Sequence, residues 1–407
     1  MANAMVKDLE LGFENFVEGY DAACVLSRAA ETSYPDATSM QRAGDIFYKN
    51  QNYQGAIVTG LDVSAAARTD VIQRMVPTVY RSPDNVIYEL DAKELRDPMH
   101  MTKMGQAAAI RLAAEVDKNL HAACGLNAAM VVKKVGAFTW DDGATAEALM
   151  VTRGITDADK KLFLNAFDYL AVAKDLGNRA YLGDRNKDAY ERSKVPDIAN
   201  FSTFRPDNLY NLAAIGTVTG TTVSANTSHT VTAMTGDLPT DNRYGALGVA
   251  GANIAKTKQG DRFTIANVNA VHNIDKSDTG QPMTFRVISG QGTANLVITP
   301  KIITTGPYQN VTAQAAAGAA ITFLNTVTKP VNVFWQQGAV TLDYGRLQFP
   351  SGTGAQVMTA TTKNGVPLVM VAQINAQTGK LFVRNTTLYA VTVLDPEKTG
   401  VIIANQT

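Results

Sequence analysis

Four histidines, two cysteines and a few close carboxylates are the residues of this 407-residue chain whose types could do chemistry. Their spacing decides whether they do. His100, His121, His229 and His272 never recur at the three- or four-residue interval that sets two imidazoles on one helix face, so neither a metal site nor a histidine-activated nucleophile is announced. Cys24 and Cys124 lie in helix-like stretches, "YDAACVLS" and "LHAACGLN", without CxxC spacing, and read as buried thiols of a reducing compartment rather than as a disulfide. The close carboxylates, Asp141 with Asp142 and Asp157 with Asp159, fall near turns or helix starts, where such groups cap and solvate; no acid and base pair stands out. The glycine stretches "SGQGTAN" (289–295) and "SGTGAQ" (351–356) lack the strand, fingerprint and helix of a phosphate loop and read as turns. Phe334-Trp335 sits in an apolar, β-branched run and reads as core, not as a platform for stacking bases. No catalytic, cofactor-binding or metal-ligating residue is expected, and the chain reads as a structural protein, not an enzyme.

The composition agrees with that reading. Hydrophobic residues at 45% and charged residues at 18% are ordinary globular usage, which excludes a disordered chain. Lys plus Arg and Asp plus Glu both number 37, so no global field draws the chain onto nucleic acid or an anionic membrane. The length favours two domains of unequal size over one core. The N-terminus "MANAMVKDLELGFENF" has no basic stretch followed by an apolar core, and no apolar run approaches a bilayer's span, so synthesis and use in the cytoplasm are expected. The N-x-S/T triplets at Asn200, Asn226, Asn310 and Asn385 then read as coincidence.

The elements that would position these residues fall into a definite order. Leu9, Phe13, Phe16, Tyr20 and Cys24 recur every three or four residues as one face of a helix, equally readable as core or as an arm on a neighbouring subunit. Alternating segments around the turn-forming Pro83-Asp84-Asn85 suggest a long two-stranded excursion, which must lie against something to be stable. Asp97-Pro98, an N-cap followed by proline at the first position, opens a rod of some thirty residues with an apolar stripe from Met101 to Cys124. Residues 156–176 read as a further helix capped by Thr156 with Asp159, closed by Gly177 and Asn178. From about Ile215 the period changes: "TTVSA", "HTVTAM", "DRFTIANV", "MTFRVIS" and "NLVITP" are strands at roughly ten-residue intervals, the pattern of a small β barrel or sandwich. The run "IGTVTGTTVSANTSHTVTAMTG" (215–236) is then its entry and not a linker, with Val223, Phe263, Ile265, Phe285, Val287 and Ile298 facing inward. An alanine-rich helix candidate, "VTAQAAAGAAITFLNTV", and three strand-rich segments complete the chain.

That order, together with "ATSMQR", "SPDNVIYELDAKELRDP", "DNR", "KQGDRFTIANV", "NVFW" and "LYAVTVLDPEKTGVIIANQT", resembles the major capsid (coat) proteins of tailed bacteriophages with the Hong Kong 97-like fold, in particular those of Salmonella-type short-tailed phages. The resemblance implies an α+β fold: an N-terminal arm (1–40), an extended β loop (46–92), a peripheral domain with a spine helix (93–139), an axial domain (140–215), an inserted all-β barrel (216–325) and a C-terminal axial and peripheral part (326–407). It implies hexamers and pentamers of the chain itself, a scaffolding protein, a portal protein, and non-specific contact with packaged double-stranded DNA, without membrane or cofactor. The shell would be built in the bacterial cytoplasm and become the virion capsid. A loop at 233–246, with Asp237, Asp241 and Arg243, would project to make contacts between capsomers. Some relatives join a Lys to an Asn; Lys49 is the one extended-loop lysine before Lys93 that could take that part, but the sequence displays no partner carboxylate, so a non-covalent shell is expected. Encapsulin shells share the fold class but generally lack the inserted domain. An extracellular β-rich adhesin lacks support from a signal peptide, and a hydrolase or transferase ranks third.

Overall fold

The computed structural model describes residues 2–34, 40–55, 57–58, 60–62, 64, 72–91, 94, 97–155, 159–178, 195, 197–207, 209–216, 218, 220–350, 354–375 and 377–407. They form two compact units, one of residues 1–47, 78–121 and 341–392, the other of 48–77, 122–340 and 393–407.

In the first unit, helix α1 (Ala2–Ala23) buries the stripe Leu9, Phe13, Phe16 and Tyr20, continued by Cys24 just past its end, in its own unit's core, so these residues are core. Its neighbour is α2 (Pro98–Asn127), the long rod opened by Asp97, whose Oδ1 accepts the Met99 amide at 3.0 Å. Where the two approach, side chains vanish: a Cβ on Gly105 would run into the Gly12 carbonyl and stand 3.1 Å from the Phe16 amide nitrogen. Past the end of α1, the Asp117 carboxylate of α2 accepts the amides of Val25 (2.8 Å), Leu26 (3.1 Å) and Ser27 (3.0 Å) and the Ser27 hydroxyl (2.9 Å). These bonds satisfy donors that would otherwise be buried without partners. The sheet of this unit centres on the strand Leu381–Val393, flanked by Val340–Gly345, Pro367–Ile374 and Asp84–Leu90.

The expected two-stranded excursion is therefore split. Ile46–Asn50 pairs with Met75–Val79, but Asp84–Leu90 joins Leu381–Val393 instead of folding back on its predecessor. Turn residues at 83–85 redirect the chain without closing a hairpin.

The second unit holds a five-stranded sheet in the order Met130–Val135, Thr399–Gln406, Asn332–Gln336, Lys160–Phe163, Phe201–Phe204, with α3 (Trp140–Thr152) and α4 (Ala166–Asn178). Phe334 and Trp335 lie buried in its central strand, Trp335 stacked 4.4 Å from Phe163. A capping box of Thr139 with Asp142 starts α3. The helix expected over 156–176 is shorter: Lys160–Phe163 is a strand, because a short apolar run fits a buried strand as well as a helix. Its supposed cap, Thr156, lies outside the described residues, as does Asp157. Asn165 is the cap that α4 uses, its Oδ1 accepting the amides of Phe167 (2.8 Å) and Asp168 (2.9 Å).

The same unit carries a β barrel. Its strands run Ile321–Phe323, Arg262–Val271, Asp278–Ser289, Asn295–Thr299, Gly245–Ala250, Thr222–Val223, all antiparallel neighbours. A bridge between Thr222 and Ala320 closes the ring. All six residues predicted to face inward belong to its buried core, where Phe263 meets Phe285 at 5.8 Å and Phe323 at 5.7 Å. Two expectations fail here. The alanine-rich 311–327 is not a helix: Val311 and Ala315 bridge to Ala270 and Thr227, Gly318 turns at φ +80°, and Ile321 starts a strand. The pull of its apolar residues into the barrel core outweighs alanine's helix propensity. Likewise "HTVTAM" yields only the two-residue strand Met234–Thr235 at its end. The chain enters and leaves the barrel at one place: Asn211–Leu212 pairs antiparallel with Lys329–Pro330, and the Ile215 amide donates to the Asn325 carbonyl at 2.9 Å.

Candidate functional site

The loop singled out by sequence is a small hairpin standing on the barrel. Met234–Thr235 pairs with Leu238–Pro239 across Gly236, whose φ of +64° meets the left-handed demand of the turn, and Asp237. Asp237 is exposed at the tip, flanked by exposed Met234 and Leu238. Its carboxylate makes no hydrogen bond or ion pair among the described residues.

Asp241 and Arg243 lie elsewhere in the loop, at its foot. The guanidinium grips the Asp241 carboxylate through Nε (3.0 and 3.1 Å) and Nη2 (2.6 Å), while Nη1 donates to the Val393 carbonyl at 2.8 Å. Burial alone would pull the Arg243 pKa down, but the Asp241 pair outweighs it and holds the group above its ordinary value. Between them Asn242 donates to the Thr232 carbonyl at 2.7 Å and accepts Lys301 Nζ at 3.1 Å. The sequence grouping of three site residues thus separates into one free tip residue and a buried, bidentate anchor.

His229 braces the same foot. Its Nδ1 accepts the Ile302 amide at 3.1 Å, so the neutral ring carries its proton on Nε2, which donates to the Ala246 carbonyl at 2.9 Å. Burial lowers its pKa, with the Lys301 charge acting in the same sense. His272 is 2.8 Å from Asp275, and among the described residues no three His, Cys, Asp or Glu side chains gather as metal ligands would. Both cysteines are buried free thiols, and burial pushes Cys24 up to about 12. Gly290 and Gly292 turn between barrel strands, while residues 351–353 of the other glycine stretch lie outside the described residues.

Sequence reasoning missed the most buried charges. Arg262 and Arg286 alternate with Phe263, Phe285 and Val287 and so point away from the barrel core, yet neither is more than 1% exposed. Arg262 donates to the carbonyls of Gly125 and Ala128, at the C-terminal end of α2, and Arg286 Nη1 to Asn127 Oδ1 at 3.0 Å. Thr284 Oγ1 adds a bond to the Ala129 carbonyl at 2.5 Å. Burial pulls Arg262 down to about 10 and, with Arg262's own charge adding to it, Arg286 to about 9. Period-two alternation marks these positions as outward-facing and carries no signal that the outer face is covered.

The architecture is that of an α+β subunit that carries a β barrel, with a buried anchor at the foot of one loop and an exposed hairpin tip. The particular kind follows from comparison: residues 1–404 match the family model described as "P22 coat protein - gene protein 5". The chain belongs to that family, and it is a major capsid protein of a tailed bacteriophage with the Hong Kong 97-like fold. The chain is similar to the solved CUS-3 coat protein I-domain, 42% identical over 27% of this chain and 99% of that one (TM-score 0.23). It is also similar to the capsid of cyanophage P-SCSP1u, 11% identical over 94% and 89% of the two chains (TM-score 0.44). The mature capsid of bacteriophage PhiM1 is 9% identical over 94% and 88% (TM-score 0.45).

Proposed function

We infer that the chain assembles as hexamers and pentamers, with a scaffolding protein and around a portal protein, into an icosahedral shell that encloses double-stranded DNA in the host cytoplasm. The observation that carries this reading is the extended segment after residue 45. Ile46, Tyr48, Tyr53, Ile57, Val58 and Leu61 are all exposed, Ile57 at 83%. Six large apolar side chains within sixteen positions exceed what a monomer scatters on its surface, and a neighbouring copy would bury them.

In this reading residues 1–40 are the arm, 46–92 the extended loop, 93–139 the peripheral domain with its spine, 140–215 the axial domain, and 326–407 the C-terminal axial and peripheral part. Residues 216–325 are the inserted barrel, an assignment supported by the Ile215–Asn325 bond at its two ends. Asp237 makes contacts between capsomers. The shell is non-covalent, the chain catalyses nothing, and the free subunit binds DNA weakly because its net charge is zero.

Electron microscopy and sedimentation of the expressed chain, with and without scaffolding protein, test the reading. Closed shells are expected from the natural sequence, and folded subunits without shells from Ile57→Asp combined with Leu61→Asp. Shells that form equally well with both charges present would overturn the role given to this segment.

A further inference from the structure

A cleft of about 340 Å³ in the second unit is lined by Arg74, Arg243, Lys276, Lys301 and Lys398 against only two carboxylates, Asp395 and Glu397. Two of the cations are already neutralised, Arg243 by Asp241 at 2.6 Å and Lys398 by Asp395 at 3.5 Å. The other three make their hydrogen bonds to neutral acceptors among the described residues, while Glu397 offsets part of the Lys276 charge and Asp241 part of the Lys301 charge. Lys276 Nζ donates to Gln54 Oε1 (3.0 Å) and the Gln309 carbonyl (3.2 Å), and the 9%-exposed Lys301 donates to Asn242 Oδ1 (3.1 Å). Each ammonium has three protons to place, so donors remain on both. Arg74 lies 4.2 Å over the Tyr308 ring and donates to the Asn52 carbonyl at 3.1 Å, while its buried Nε has no hydrogen-bond partner. Glu397, the remaining carboxylate, is engaged by Asn310 Nδ2 at 2.7 Å.

We propose that this cleft binds one small oxyanion, a phosphate or a carboxylate, held by Arg74, Lys276 and Lys301. Buried or half-buried cations whose nearby carboxylates do not outweigh their desolvation are costly, and one oxyanion would offset that cost while filling donors that protein acceptors leave over. Burial lowers the pKa of both lysines; Glu397 opposes this at Lys276 and Asp241 at Lys301, but neither carboxylate outweighs it, and Arg74 adds its repulsion to Lys276. The cleft suits a single group. Two sources can supply the group: a free phosphate, or an Asp or Glu side chain of a second copy of this chain.

The test uses the full-length chain, unassembled, titrated by calorimetry with inorganic phosphate and separately with glutamate, against chloride at matched ionic strength. Saturable binding is expected, weakened about ten-fold or more by Lys276→Gln and by Arg74→Gln, and unchanged by Lys118→Gln on the exposed face of α2. Lys276 is only partly buried, so its variant keeps the fold even where a change at the buried Lys301 does not. Repeating the titration on assembled particles separates the sources. Retained binding marks a free anion, and lost binding marks a side chain supplied by the neighbouring copy. Because the first titration needs no assembly, it stands apart from the shell-building reading. No saturable binding to the unassembled chain, or binding indifferent to both variants, overturns the proposal.

Discussion

Arg286 of the barrel donates to the side-chain oxygen of Asn127, the last residue of α2, at 3.0 Å, and Arg262 beside it takes the carbonyls of Gly125 and Ala128. A helix ends with carbonyls that have no partner and with the negative pole of its dipole, so two buried cations are well placed there. The two are not equivalent. Arg262 satisfies two backbone acceptors, whereas Arg286 satisfies one side chain and is repelled by Arg262. Arg262→Met should cost about 2–4 kcal/mol and Arg286→Met about 1–2 kcal/mol, the lost charged hydrogen bonds being offset in part by relief of desolvation. Urea unfolding of the two variants checks this; equal costs would mean that the carbonyl clasp is not what matters.

Gly105 makes a second prediction, one whose sign runs against propensity. Alanine in the middle of a helix normally gains about 1 kcal/mol over glycine. Here the added Cβ would meet the backbone of Gly12, which cannot swing aside as a side chain would. Gly105→Ala is therefore expected to destabilise by about 1–3 kcal/mol, the cost of overpacking, seen as a lower urea midpoint. A midpoint at or above that of the natural chain would show that α1 can move away freely.

These two cases mark where sequence is legible. Barrel core residues such as Phe263 and Ile298 could be named in advance because alternation directly encodes which face is inside. The rod from Pro98 was readable from its cap and stripe. What covers the outer face of a strand is not local, so Arg262 gave no sign of its burial; nor did Arg74, Lys276 and Lys301, which are far apart in sequence, of sharing a cleft. Composition misled at 311–327, where alanine suggested a helix but the barrel wall needed a strand. The loop at 233–246 could be named from sequence, but not its hairpin, and which of its charges faces outward depends on the Val393 carbonyl, 150 positions away from Arg243.

His229 predicts a response to acid. Its Nδ1 must stay unprotonated to accept the Ile302 amide, and burial depresses its pKa below the unfolded value of 6.5. The unfolded chain therefore binds the proton more readily, and stability rises with pH through this window. The contribution is fully present above pH 6.5 and is lost progressively as pH falls from 6.5 toward the folded-state value. Unfolding midpoints measured from pH 7.5 down to 5 should show this slope in the natural chain and a reduced slope in His229→Gln. Identical slopes would assign the acid response to other groups.

Phe263→Ala should cost about 3–5 kcal/mol, because a fully buried ring that touches Phe285 and Phe323 leaves a cavity the closed barrel cannot collapse. That is comparable to a small domain's whole stability, so the yield of soluble coat protein should fall. Normal yield and an unchanged melting profile would mean that the barrel core contributes little to folding of the subunit.

The hairpin offers the sharpest separation of folding from assembly. Arg243 is a buried anchor with a bidentate carboxylate partner, so Arg243→Ala leaves Asp241 partly buried without its counter-charge and the Val393 carbonyl without its donor. A loss of about 2–4 kcal/mol is expected, together with disorder of the whole loop foot. Asp237 is exposed at the tip and makes no side-chain bond among the described residues, so Asp237→Lys should leave the subunit's unfolding curve within about 0.5 kcal/mol. If the tip docks on a neighbouring capsomer, the same change should still give misassembled or fragile shells, scored by electron microscopy and by release of subunits on heating. The pair of variants distinguishes the two roles: assembly defects in Asp237→Lys with normal stability support contact by the tip, whereas intact, robust shells would leave the hairpin as an ornament of the barrel.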